Sequence, residues 1–60
     1  MRIIDLLSEM YPEDFDTFRL LCMITVIAKR SGKKQTSQNA EWLAGTILET
    51  MLKGMQKTGQ

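Results

Sequence analysis

Sixty residues, 43% apolar and 25% charged, describe one folded domain at most and not a disordered tail. A chain this short buries only roughly 60% of the surface its unfolded form exposes, so it needs a staple, unusually good packing or association. Composition excludes the staples: the one cysteine, Cys22, permits no intrachain disulfide, and without histidine a lone thiol among scattered carboxylates makes no zinc site.

In chain order, the first element reads as a short amphipathic helix over about residues 2–11. Ile3, Ile4, Leu7, Met10 and Tyr11 follow helical spacing on one face, with Leu6 at its margin. A helix this short is marginal in isolation, so this one must dock to persist. A strand through residues 2–7 competes, but no turn follows that would pair it.

Pro12 disfavours a helical residue before it and suits the first turn of a new helix, where its missing N–H is no loss. Glu13, Asp14 and Asp16 then complement the positive end of the helix dipole, and Lys29 and Arg30 the negative end. Gly32 is the expected stop, in a left-handed C-cap conformation. The second helix therefore spans about residues 12–31. Its middle, Leu20 to Ala28, is apolar in every direction of a helical projection, as in a buried helix. The β-branched content of Ile24–Ile27 raises a strand reading of 22–27, against which stand the helix-type termini. The nine-residue run is far below the about 20 residues of a membrane span.

Ser31 to Gln38 is the linker-like stretch, and Thr36 or Ser37 is the expected N-cap of the third helix. That helix is predicted over about residues 37–55. Its apolar stripe is Ala40, Leu43, Ala44, Ile47, Leu48, Met51, Leu52 and Met55, with Glu49 and Lys53 forming a favourable i,i+4 pair opposite. Gly54 and Gly59 suggest fraying, so residues 1–56 form the domain and 57–60 a loose tail. The fold class expected is all-α, a three-helix unit that associates as a helical homodimer.

The net charge of +1 hides a polar distribution. Residues 1–18 carry a net of −4, residues 19–34 a net of +5, and the rest balance. The basic cluster Lys29, Arg30, Lys33 and Lys34 suits phosphate or an acidic partner, or the acidic segment of a second copy. Specific nucleic-acid readout would require more. Gln35, Gln38 and Asn39 are available, but the connection is nearer six residues than the three or four of a helix-turn-helix.

Catalysis finds no constellation. No histidine is present to act as a base, and Cys22 within Leu-Leu-Cys-Met-Ile is expected to be inert core filler. Glu13, Asp14 and Asp16 are explained as first-turn charges, and no strand precedes the glycines to make a phosphate loop. No catalytic residue, cofactor, metal or small-molecule substrate is expected.

Interface signals are clearer. Trp42 projects roughly 160° from Ala44, onto the polar side of the third helix, where it either covers another element or anchors a partner. Ala40, Ala44 and Gly45 would let another helix approach closely, and Gly45 costs roughly 1 kcal/mol relative to alanine in mid-helix. Met51 and Met55, one turn apart, suit an adaptable binding surface. These six residues are the candidate partner interface. Because Leu20–Ala28 is too apolar for two short helices to cover, a symmetric dimer is expected. The function expected is a non-enzymatic regulator, inhibitor or adaptor, of the kind borne by phages and plasmids, that binds a larger protein. The alternative is a dimeric nucleic-acid-binding regulator. The acidic start of the chain does not suit a signal peptide, and a cytoplasmic location is expected.

Overall fold

The computed structural model describes residues 2–58, and three helices account for almost all of them. They are α1 (Ile3–Met10), α2 (Pro12–Arg30) and α3 (Lys34–Thr58). Neither stretch weighed as a strand is one, and the described residues contain no strand. The molecule measures 43 × 17 × 17 Å. At 1.5 Å per residue α2 is about 28 Å long and α3 about 37 Å, so only side-by-side packing fits that width. Ser37 reaches Thr25 and Gly54 lies beneath Tyr11, which makes the pair an antiparallel hairpin.

The turn that closes it follows from one residue. Gly32 has φ +77°, the left-handed conformation expected of it. This lets the Gly32 N–H reach Lys29 O at 3.2 Å and the Lys33 N–H reach Ala28 O at 2.9 Å, the paired bonds of a Schellman cap. Basic Lys29 and Arg30 stand in that last turn, and Pro12 opens the first. The Lys33 carbonyl already accepts from Ser37 N–H at 3.0 Å, so α3 starts at once. The connection is Ser31–Lys33, three residues, and not the longer linker its polar composition suggested.

Ser37 accordingly does not cap α3. It lies buried one turn inside the helix, where its hydroxyl donates to Thr25 O at 3.1 Å across the hairpin. Thr25 donates to Leu21 O in turn, at 2.8 Å. Polar Gln35, Thr36, Gln38 and Asn39 form the exposed side of the same turns, with Gln35 Nε2 donating to Asn39 Oδ1 at 3.1 Å. At its other end α3 runs through Gly54 to Thr58. Lys57 and Thr58 are thus helical, while Gly59 and Gln60, the rest of the expected tail, lie outside the described residues.

Near the turn the buried side chains are small: Ala28, Ser37, Ala40 and Ala44. Small residues at successive turns allow two backbones to approach closely. At the opposite end α1 packs on both helices, and the largest fully buried side chains are Leu7 and Met51, each 1% exposed. Phe15 and Phe18, half-buried, place their rings 6.0 Å apart at a tilt of 43°. Ile3 and Ile4 share the helical face of Leu7 but stay exposed, so the hairpin supports α1 at Leu7 and not at its first turn. The amphipathic face expected of α1 is buried at its centre alone. The expected Glu49–Lys53 pair forms at 3.5 Å between exposed side chains and contributes only a few tenths of a kcal/mol, by the usual worth of about 0.3–0.5.

Three glycines separate by environment. A Cβ at Gly45 meets nothing within 4 Å, so no neighbouring helix explains this residue. A Cβ at Gly54 would sit 2.6 Å from the Tyr11 hydroxyl, so Tyr11 would have to move. Gly45→Ala is therefore expected to stabilise the fold by roughly 1 kcal/mol. Gly32→Ala is expected to destabilise it by about as much through left-handed strain. Gly54→Ala should forfeit its helix-propensity gain to the Tyr11 clash. Urea unfolding followed by circular dichroism checks all three signs.

Candidate protein-interaction site

The six residues expected to meet a partner do not share a surface. Ala40, Ala44 and Met51 are buried inside the chain, between its own helices. The close approach that small residues promised is made by the second helix of the same chain, so these three belong to the core. Met55 is half-buried on the same side of α3. Gly45 is exposed and open. Trp42 alone has the character of an anchor: it is 69% exposed, the most open of the large apolar side chains. Its carbonyl accepts from Thr46 Oγ1 at 3.0 Å, within the polar outer side of α3.

A second apolar surface lies on α2, within the Leu20–Ala28 run expected to drive association, although none of its residues is among the six candidates. The hairpin covers one side of this helix, where Phe15, Phe18, Leu21, Thr25 and Ala28 are half-buried or buried. The opposite side shows Leu20, Met23, Ile24 and Ile27, exposed by 44–58%. Their i, i+3, i+4, i+7 spacing makes one continuous helical stripe. The spacing is legible in the sequence, but the surrounding run is apolar in all directions, so no side stood out until α3 took one of them. A depression of 320 Å³ lies on this stripe, walled by Asp16, Arg19, Leu20 and Met23.

A larger groove of 750 Å³ runs along one flank of the hairpin near the turn, lined by Cys22, Val26, Lys29, Gln38 and Glu41 among others. Cys22 is exposed there. That corrects its assignment to the core, which assumed that all sides of an apolar helix would be covered. The basic residues Lys29, Arg30, Lys33 and Lys34 cluster at the turn, all exposed and none paired with a carboxylate among the described residues. The three-residue connection removes the length objection to a helix-turn-helix, but that motif crosses its helices at about 90–120° and these lie side by side.

Among the described residues no three His, Cys, Asp or Glu side chains come together to hold a metal ion. No helix among the described residues is long and apolar enough to cross a membrane. No family model matches the chain, and comparison with curated proteins and with solved structures returns no match.

Exposure makes Cys22 a direct probe of the fold. In the native protein its thiol should react with a thiol-specific aromatic disulfide reagent nearly as fast as in the urea-unfolded chain. Strong native protection would mean that this flank of α2 is covered.

Proposed function

We propose that the chain is a non-enzymatic protein-interaction module, a regulator, inhibitor or adaptor that binds a larger protein through its helical surfaces as a homodimer. The observation that carries this reading is the pair of exposed apolar features on different helices, Trp42 on α3 and the stripe Leu20–Met23–Ile24–Ile27 on α2. Apolar surface on this scale marks interaction sites in small proteins, and tryptophan is enriched among the residues that dominate binding energy. Two separate faces suit two contacts, one with a second copy and one with another protein.

Affinity capture from the native host, run in parallel with the wild-type chain and Trp42→Ala, tests the reading. Because Trp42 stands free of the core, the variant should keep its helicity and lose a protein that the wild type retains. Wild type and variant retaining the same proteins would overturn the role of Trp42.

A dimeric nucleic-acid-binding regulator is the second reading, favoured by the unpaired cations at the turn and the exposed Gln35, Gln38 and Asn39 beside them. The side-by-side helices weigh against groove entry. A protein-interaction module should not shift labelled duplex DNA or RNA at moderate salt. A shift that falls steeply with salt and vanishes in Lys33→Glu/Lys34→Glu would move the assignment to nucleic acid.

A further inference from the structure

The stripe on α2 carries more than apolarity. Asp16, Leu20, Met23, Ile27 and Arg30 follow one another at intervals of four, three, four and three residues. That is the repeat of a coiled-coil seam, and all five side chains are exposed. Its apolar centre ends in an acid on one side and a base on the other. The depression on this face is walled by Asp16, Arg19, Leu20 and Met23, which are residues i, i+3, i+4 and i+7. Four residues so spaced form the hole that receives one side chain of a facing helix.

We propose that the occupant is a second copy of the chain, packed antiparallel through α2. In this dimer Ile27 of each copy seats in the other copy's depression, and Asp16 of each lies against Arg30 of the other. The proposal rests on the reading that the chain self-associates, and it specifies the face and the direction.

Charge selects the direction. A parallel pairing sets Asp16 against Asp16 and Arg30 against Arg30. The antiparallel pairing replaces both repulsions with attractions, twice by symmetry. Within one chain Asp16 and Arg30 lie about 21 Å apart along the helix. This exceeds the screening length of about 8 Å at physiological salt, so inside the monomer each serves its own end of the helix dipole and the two do not attract one another. Register agrees with direction. With Asp16 level with Arg30, the two-fold axis passes near Met23, and Leu20 and Ile27 fall within one residue, about 1.5 Å, of one another. Trp42, on the far side of α3, remains free.

Sedimentation across a micromolar concentration series reads the association, with circular dichroism confirming that each variant is folded. All the substituted side chains are exposed, so the monomer should survive their loss. Leu20→Glu/Ile27→Glu should be monomeric throughout. Asp16→Arg should weaken the dimer by roughly tenfold, and Asp16→Arg/Arg30→Asp should restore it. The Trp42 emission maximum should not change on dimerisation. A parallel seam would leave the charge variants no weaker than wild type, and that outcome overturns the direction. A dimer that survives Leu20→Glu/Ile27→Glu, or a blue shift of Trp42, places self-association on another face and overturns the seam while leaving the interaction module standing. A wild type monomeric at every concentration overturns both the seam and the homodimer.

Discussion

The close approach of α2 and α3 beside the turn sets the geometry of the molecule. Ala28, Ala40 and Ala44 keep the two backbones near one another, and Ser37 spends its hydroxyl on the Thr25 carbonyl and not on its own helix. The cap at Gly32 holds the helices in that relation by satisfying the carbonyls that α2 would otherwise leave open. With the turn end pinned, the far end can admit larger side chains and the short helix α1. Leu7 and Met51 are buried there, and Tyr11 lies over Gly54. Each feature depends on the hairpin being tight at one end.

The same tightness limits what the chain can cover. Two helices side by side give each other one face, and α1 contributes eight residues. It is long enough to bury Leu7 but not to shield the outer side of α2. The buried side chains are accordingly few, and several of the largest apolar residues stand in solvent. For a domain near the lower size limit, association is the remaining way to remove such surface from water.

The surfaces left open differ in kind, which is why they suit different tasks. On α2 the apolar stripe is long, regular and bounded by opposite charges, features that favour another helix of the same sequence. On α3 a single indole stands among Thr46, Glu49 and Lys53, an isolated anchor and not a seam. The cations at the turn occupy the end of the rod, so neither apolar face need compete with them. The two readings of function therefore invoke different parts of one small molecule.

Much of the fold was legible in the sequence because its signals are local. Pro12, the first-turn acids, the last-turn bases and Gly32 delimit α2 through backbone chemistry that operates within a few residues. Helical periodicity likewise identified the three elements and the side of α3 that carries Ala40, Ala44 and Met51. Other features depended on what each helix meets in space. Polar composition at residues 34–38 reads as a linker until the Schellman cap redirects the chain and makes it the first turn of α3, exposed except at Ser37. Ala40, Ala44 and Met51 read equally well as interface or core, since small and flexible residues serve both, and only the position of α2 made them core. Cys22 and the stripe beside it could not be told from buried residues in a run apolar all round. Burial is a property of the neighbour, and tertiary packing decided which side of α2 would receive one.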